Sequence, residues 1–214
     1  MRRLASFREC KYTFKQLDQV PALLRDVTIA MQSREVTAVV ERITGIPKQI
    51  PDPYLYAGGI TLMARGDFLN PHIDNSHDGE RKVYRTLNLL YYVTPGWKSE
   101  YGGSLELWDD RVNNAAAIPS LFNRLVVMET NRHSWHSVSP VQHDGQRCCV
   151  SNYYFSEQSP EGRNYFHVTS FSARPGQMIR RWIAVADNLA RMGIRRFFRK
   201  GIGRKDVYHP DPPK

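Results

Sequence analysis

The chain has 214 residues and a formal net charge of +9, with 41% hydrophobic and 11% aromatic residues. This composition predicts a folded domain with its own core and excludes an intrinsically disordered chain. No apolar run approaches the roughly 18 residues of a transmembrane helix, and the basic start lacks the apolar stretch of a signal peptide.

The three cysteines predict a reduced protein. Cys10 stands alone, and Cys148 and Cys149 are adjacent, so there is no spacing typical of a disulfide framework. The odd number favours a reducing compartment, and the lack of a Cys-x-x-Cys pair disfavours a structural zinc site. We therefore expect a cytoplasmic protein, and the basic segment described below adds peripheral membrane association to that expectation.

The first part of the chain has a helical pattern. Within residues 13–45, apolar residues recur at steps of three and four, which predicts supporting helices. Pro21 either interrupts an early turn or starts a new helix, whereas Gly45 and Pro47 end the second helix.

Residues 54–156 have a different pattern, in which short β-like runs alternate with turn signals. The predicted strands cover residues 56–63, 86–93, 104–108, 125–129 and 148–155. Several short strands at this spacing are typical of an all-β sandwich or barrel.

The positive charge is concentrated near the end of the sequence. Residues 173–205 contain ten basic residues and one acid, Asp187, which leaves +9 in this segment. Residues 177–198 have the apolar periodicity of a helix, and residues 208–214 are predicted to form a loose tail. Three interpretations of the helix are open: a packed helix with solvated arginines, a helix on an anionic membrane surface, and a nucleic-acid-binding element.

A candidate metal site begins in the stretch FLNPHIDNSHD. On a strand, His72 and Asp74 point to the same face and can reach one ion. A histidine from a distant strand would complete the two-histidine, one-carboxylate face of non-haem Fe(II) proteins, and His133 and His136 are the candidates. A polar turn in which Asp74 accepts backbone hydrogen bonds is the alternative interpretation of His-x-Asp.

Arg147 lies eleven positions after His136, where the predicted strand 148–155 begins. A guanidinium group binds a carboxylate through two parallel hydrogen bonds. An arginine beside an iron site therefore suits a small dicarboxylate co-substrate.

Four short motifs follow one another along the chain. They are His72-x-Asp74, Gly102-Gly103-x-Leu105, His136-x-Val138-x-Pro140-Val141 and Arg147. In this order they resemble the 2-oxoglutarate- and Fe(II)-dependent dioxygenases, with the prolyl 4-hydroxylase-like branch the nearest. The resemblance covers roughly residues 54–156.

The resemblance implies an α+β, mainly β fold: a double-stranded β-helix (jelly roll) with N-terminal supporting helices and a basic C-terminal helix. We expect one dioxygenase domain over residues 1–172 and a helical extension over 173–214. The resemblance also implies His72, Asp74 and His136 as iron ligands, which favours His136 over His133. It implies Arg147 as the anchor of 2-oxoglutarate.

Three positions depart from patterns known in the family. Met63 stands where many prolyl hydroxylases have a tyrosine that holds the co-substrate, and Asn88 stands where they tend to have threonine. We expect the Asn88 amide to donate to the co-substrate carboxylate. Tyr153 replaces the second arginine of the nucleic-acid-demethylating branch, which disfavours a nucleic-acid partner.

The function implied is hydroxylation of an unactivated C–H bond. The cofactors would be Fe(II), 2-oxoglutarate and O2, with ascorbate as a reductant and succinate and CO2 as co-products. A peptide or small-molecule substrate is expected, and peptidyl proline, a free amino acid, and a sugar or lipid intermediate are all open. The alternative is a metal-binding jelly roll that senses or docks through its basic helix. The presence of all four site residues favours the enzyme. Loops 75–84, 94–101 and 109–122 are expected to border the pocket.

Overall fold

The computed structural model describes residues 1–14, 16–56 and 58–198. Within these ranges the strands are β1 Arg2–Ala5, β2 Glu9–Phe14, β3 Ile50–Pro51, β4 Gly59–Met63, β5 Phe68–Ile73, β6 Tyr84–Tyr92, β7 Leu105–Trp108, β8 Ala115–Ile118, β9 Arg124–Glu129, β10 His136–Val138, β11 Arg147–Ser156 and β12 Ser170–Phe171. The helices are α1 Ala22–Ala30, α2 Arg34–Thr44 and α3 Met178–Phe197.

The described strands form one curled antiparallel sheet. The strand order is β8-β7-β10-β5-β2-β4-β11-β6-β9, with β1 on β2, β12 on β5 and β3 on β11. Residues of β5 and β10 and residues of β4, β11 and β6 line the same cavity. The sheet therefore curls around this cavity as a half-barrel. This arrangement confirms the jelly-roll core predicted from the sequence.

The outer face of the sheet carries the main hydrophobic core. On β11, Val150 and Tyr154 are fully buried on this face. Val150 packs in a cluster with Leu24 of α1, and Tyr154 packs with Val40 of α2. Because side chains alternate along a strand, Arg147 and the other odd-numbered residues of β11 point to the inner face.

Local signals explain why α2 forms and where it ends. The Ser33 side chain accepts a hydrogen bond from the Val36 N–H, and Gly45 adopts the left-handed conformation with φ 71°. The buried Val40 fixes the helix to the sheet, a contribution of roughly 1.5–3 kcal/mol. The helices therefore close the outer face and leave the inner face for the cavity.

The N-terminal segment differs from the prediction. Helices occupy Ala22–Ala30 and Arg34–Thr44 within the predicted 13–45, but a β-hairpin, β1–β2, precedes them. β2 lies between β4 and β5 in the sheet. Lys11 and Thr13 of β2 face the cavity, so the inner face of this strand is polar. Residues 9–14 alternate polar and apolar side chains, which is the pattern of a strand, but they were not among the predicted strands.

The C-terminal helix was predicted at residues 177–198 and is observed at Met178–Phe197. Among the described helices, none combines the length and apolar character needed to cross a bilayer. The basic residues after 198 and the predicted tail 208–214 lie outside the described residues. The division of the chain at residue 172 stays a prediction.

Candidate metal and co-substrate site

Two neighbouring strands bring the predicted histidines together. β10 pairs antiparallel with β5, and His136 lies directly opposite His72 with ring centroids 4.1 Å apart. Asp74 lies just beyond the end of β5, two positions after His72. One ligand atom from each of the three residues lies within 4.8 Å of the others, and all three side chains are buried. The structure thus assembles the three residues predicted as iron ligands.

Backbone carbonyls fix the orientation of both imidazole rings. His72 Nδ1 is 3.0 Å from the Asn70 carbonyl oxygen, and His136 Nδ1 is 2.9 Å from the Ser134 carbonyl oxygen. A carbonyl oxygen only accepts, so each Nδ1 carries the proton and each Nε2 keeps its lone pair. Both Nε2 atoms lie 3.7 Å from a carboxylate oxygen of Asp74.

The electrostatics of this cluster fit a divalent cation. Burial, and then the charge of His136, lowers the pKa of His72 to about 3, which keeps its imidazole neutral. Burial acts to raise the pKa of Asp74, but His136 and Arg85 outweigh it and hold this pKa below its ordinary value. Asp74 Oδ2 is buried without a hydrogen-bond partner among the described groups. Two imidazoles whose Nε2 atoms face an unsatisfied carboxylate oxygen are the donor set that suits Fe(II).

Behind Asp74 lies a layer of polar and aromatic groups. Arg85 Nη1 is 3.7 Å from Asp74 Oδ1, and the Arg85 guanidinium carbon is 3.8 Å from the centroid of the Tyr153 ring. Burial, followed by the charge of Asp74, raises the pKa of Tyr153 well above its ordinary value, so the hydroxyl keeps its proton beside Asp74. Asn88 Nδ2 donates to the Tyr153 hydroxyl oxygen at 3.2 Å. Asn88 is thus connected to the carboxylate through Tyr153.

Arg147 lies elsewhere in the same cavity, at the start of β11. It is 3% exposed, and its Nη1 is 3.5 Å from Met63 Sδ on the neighbouring β4. Its guanidinium carbon is 4.8 Å from the ring centroid of Tyr92 on β6, the strand on the other side. Neither Arg147 Nε nor the Tyr92 hydroxyl has a hydrogen-bond partner in the described part of the chain. Two unsatisfied donors that line one cavity are suited to an anion such as a carboxylate.

Sequence reasoning missed Tyr92, although a signal for it exists. Asn88, Leu90 and Tyr92 are alternate residues of β6, and all three line the cavity. Since Asn88 was predicted to face the co-substrate, the same parity predicts that Tyr92 faces it too. Burial raises the pKa of Tyr92 to about 12, so its hydroxyl remains a proton donor at neutral pH.

Gly103 explains the double glycine of the sequence motif. It adopts φ +67°, and a Cβ atom here would lie only 2.7 Å from Arg147 Cδ. A Cβ atom at Gly102 would lie 2.2 Å from the Pro140 carbonyl oxygen. Both glycines therefore allow the chain to pass close to the segment between His136 and Arg147.

The wall of the ≈ 380 Å³ cavity differs from the prediction. None of the loops 75–84, 94–101 and 109–122 lines it. The hairpin supplies residues such as Arg2, Arg8 and Lys11 instead, and α3 supplies Arg191. These contacts join residues distant in sequence, so no local pattern indicated them.

The other candidate histidine and the paired cysteines play no part in the cluster. His133 is exposed and lies 3.1 Å from Asp110, whereas His136 is 4% exposed inside the cluster. Of the adjacent cysteines, Cys149 is buried and Cys148 is partly exposed, as the alternation of a strand predicts. A curled jelly roll with a buried His-Asp-His cluster in its cavity defines a non-haem metalloenzyme scaffold.

Comparison with known proteins identifies the family. Residues 58–155 match the model of the 2OG-Fe(II) oxygenase superfamily. Prolyl 3-hydroxylase OGFOD1 of Xenopus laevis is 34% identical over 117 residues, which are 50% of this chain and 23% of that protein. The Mus musculus protein of the same name is 30% identical over 96 residues, which are 42% of this chain and 17% of that protein. Residues 58–155 thus form a 2OG-Fe(II) oxygenase domain, and the chain is similar to prolyl hydroxylases.

The alignments cover less than a quarter of the length of these curated relatives. Among solved structures, a Trichoplax adhaerens prolyl hydroxylase in complex with a hypoxia inducible factor peptide is 21% identical with a TM-score of 0.48, covering 70% of this chain and 63% of that chain. A Pseudomonas putida prolyl-4-hydroxylase is 18% identical with a TM-score of 0.48, covering 72% and 76%.

Proposed function

We propose that this chain is an Fe(II)- and 2-oxoglutarate-dependent oxygenase that hydroxylates an unactivated C–H bond in a peptide or small-molecule substrate. The observation that carries this proposal is the presence of the His-Asp-His cluster and the unsatisfied Arg147 in one buried cavity. When bound, Fe(II) and 2-oxoglutarate supply the oxidising power to insert one atom of O2, with succinate and CO2 as co-products.

In this proposal His72, Asp74 and His136 hold the metal. The hydrogen bonds from Nδ1–H to backbone carbonyls hold both imidazole rings in the orientation that metal binding requires. Little conformational entropy of these side chains is therefore lost when the metal binds. Tyr153 orients the Asp74 carboxylate through its hydroxyl. The buried surroundings exclude bulk water from the reacting centre.

Arg147 and Tyr92 bind the far carboxylate of the co-substrate in this proposal. Arg147 contributes charge and paired N–H donors, and Tyr92 contributes a hydroxyl from β6. Tyr92 would thereby take the role of the tyrosine that many prolyl hydroxylases have where this chain has Met63. Met63 lies on β4 and Tyr92 on β6, the two strands that flank β11. Asn88 is the further donor predicted from the sequence. To bind the co-substrate, its amide would have to break its hydrogen bond to the Tyr153 hydroxyl and donate to the co-substrate carboxylate instead.

The charges around the cavity bear on the substrate. The hairpin and α3 contribute four cationic residues to its lining, which are Arg2, Arg8, Lys11 and Arg191. Apart from the metal ligand Asp74, Glu9 is the one acid of this lining, and Asp187 accepts from Arg8 and Arg191 nearby. The net positive potential favours a substrate with acidic groups. Both curated relatives are named prolyl hydroxylases, so proline in an acidic peptide is the first substrate to test.

The decisive experiment separates co-substrate binding from turnover. Anaerobic Fe(II) and 2-oxoglutarate should give the metal-to-ligand charge-transfer absorption with the unaltered protein. His136→Ala should abolish the band, and Arg147→Ala should raise the 2-oxoglutarate concentration needed for it. His133→Ala is the matched control and should behave as the unaltered protein.

Under air, with ascorbate, the unaltered protein should then form succinate from 2-oxoglutarate. Acidic proline peptides should increase this rate more than matched basic peptides. A protein that gives neither the absorption band nor succinate contradicts the proposal.

A further inference from the structure

The helix α3 is oriented with its polar side towards the domain. The Arg181 guanidinium donates to the backbone carbonyls of Ala173 and Val112. The Asn188 side chain accepts from the Phe171 N–H at 2.9 Å and donates to the Phe171 carbonyl at 2.8 Å. Hydrogen bonds therefore attach this helix to β12 and to the segments around Ala173 and Val112.

The opposite side of α3 is apolar and open to solvent. Its exposed fractions include 78% for Ile179, 72% for Trp182, 69% for Leu189 and 84% for Phe197. These positions recur at steps that place them along one side of a helix. Met178, Ile183, Val185 and Ile194 widen the same side and are also exposed. The apolar face, defined by these eight residues, covers about half of the helix circumference.

The charges beside the apolar face have one sign. Arg180 and Arg196 are the exposed charged residues of α3. Asp187, the one acid in the α3 sequence, accepts from both Arg8 and Arg191 and is occupied by them. Residues 199–205 add four more basic residues in the sequence. Within α3 itself, the apolar face is therefore bordered by positive charge and by no available carboxylate.

We propose that α3 docks the protein on an anionic lipid surface, lying in the plane of the interface. The apolar face would enter the boundary of the acyl chains, and Arg180 and Arg196 would contact anionic headgroups. None of the described helices can span the bilayer, which is consistent with a surface position. Arg191 of the same helix lines the cavity, so docking would hold the cavity near the lipid.

A second copy of the chain is a poorer occupant. An antiparallel pair of α3 helices would place Arg180 of one copy near Arg196 of the other, and a parallel pair would place like residues together. In neither arrangement does the partner's α3 offer a carboxylate to these arginines, because Asp187 is already bonded. Like charges in contact oppose such a pair.

The test uses vesicles of phosphatidylcholine alone and vesicles that also contain roughly 30% phosphatidylglycerol, which carries the negative surface charge. The protein should co-sediment with the anionic vesicles at low salt and dissociate at high salt. Binding should also shift tryptophan emission to the blue, because Trp182 is 72% exposed whereas Trp97 is 5% exposed. Trp182→Phe should keep binding and lose most of this shift.

Substitutions separate the apolar and the charged contributions. Trp182→Asp with Leu189→Asp should abolish binding, whereas Phe122→Asp, at an exposed residue distant from α3 in sequence, should leave it unchanged. Arg180→Gln and Arg196→Gln should each weaken binding to anionic vesicles about fivefold. An unchanged Fe(II)–2-oxoglutarate absorption band in every variant shows that the fold is intact.

Equal binding to neutral and anionic vesicles would overturn the proposal, and so would no binding to either. A concentration-dependent dimer that Trp182→Asp dissociates would assign the apolar face to a second copy instead. These outcomes are independent of catalysis, because the vesicle assay needs neither iron nor substrate.

Discussion

Arg85 lies with its guanidinium Nη1 3.7 Å from Asp74 Oδ1, and the Arg85 side chain is fully buried. Arg85 Nε and Nη1 have no hydrogen-bond partner among the described groups. The arginine therefore balances the buried charge of Asp74 without making a close ion pair. It stands behind the predicted metal ligands and is not part of the cavity lining.

Arg85→Gln should destabilise the metal-free protein by about 3–5 kcal/mol, because it leaves the Asp74 charge uncompensated in the interior. A divalent cation then supplies the missing charge, so Mn(II) should raise the Tm of this variant more than that of the unaltered protein. Differential scanning fluorimetry with and without Mn(II) measures both effects. Arg85→Lys should retain much of the balance.

Arg132→Gln serves as the control for Arg85, since Arg132 is partly exposed and pairs with Glu161 at the surface. It should cost at most about 1 kcal/mol. Equal Mn(II)-dependent shifts in all variants would refute the charge-balancing role.

Tyr92→Phe should weaken 2-oxoglutarate binding about 10- to 100-fold, because a hydrogen bond to a charged group contributes about 1.5–3 kcal/mol. Tyr91 is the matched control: its hydroxyl bonds Asn123 at 2.6 Å, and it is the next residue on the same strand. Tyr91→Phe should leave the affinity unchanged. Titration of the charge-transfer band gives both dissociation constants. Equal affinities for the two variants would exclude Tyr92 from the co-substrate site.

Gly103→Ala should also raise the dissociation constant of 2-oxoglutarate, because its Cβ would displace the Arg147 side chain. The same substitution at Gly66 separates this effect from backbone strain. Gly66 has φ +83°, and a Cβ atom there would meet nothing within 4 Å, so Gly66→Ala carries the strain of about 1 kcal/mol without the contact. If both variants lose stability alike and bind 2-oxoglutarate normally, Gly103 does not position Arg147.

His167 should make the fold sensitive to acid. Burial lowers the pKa of His167 from 6.5 to about 4, and neither of its ring nitrogens has a partner among the described groups. Between these two values the unfolded chain binds more protons than the folded chain, so stability is full above pH 6.5 and falls as the pH drops towards 4. At pH 5 the loss from this group amounts to about 2 kcal/mol.

Urea unfolding of His167→Leu at pH 7.5 and pH 5 tests this expectation. The variant should lose less free energy of unfolding between the two pH values than the unaltered protein. His133→Gln, at an exposed histidine, should retain the original difference. A pH dependence unaffected by His167→Leu would locate the acid sensitivity in other groups.

The sequence predicted the elements whose signals are local. The helix at Arg34–Thr44 follows from its periodicity and its glycine end, and the placement of His72 and Asp74 on one face follows from their spacing. The hairpin before residue 15 was missed although residues 9–14 alternate polar and apolar side chains. Arg85 was missed as a site residue because its partner Asp74 follows another strand, and pairing between strands is not encoded in local periodicity. Tyr92 was missed although its alternation with Asn88 on β6 indicated that it faces the cavity.

The ion pair between Arg8 and Asp187 joins residues 179 positions apart, and β2 inserts between β4 and β5. Neither contact can form early from neighbouring segments, since each requires the closure of a long loop. The contact between Arg8 and Asp187 closes a much longer loop than the pairing of β6 with β9, so this pairing can precede the closure of the cavity by α3. The cavity wall should therefore be among the last parts to form, and the high contact order predicts slow folding.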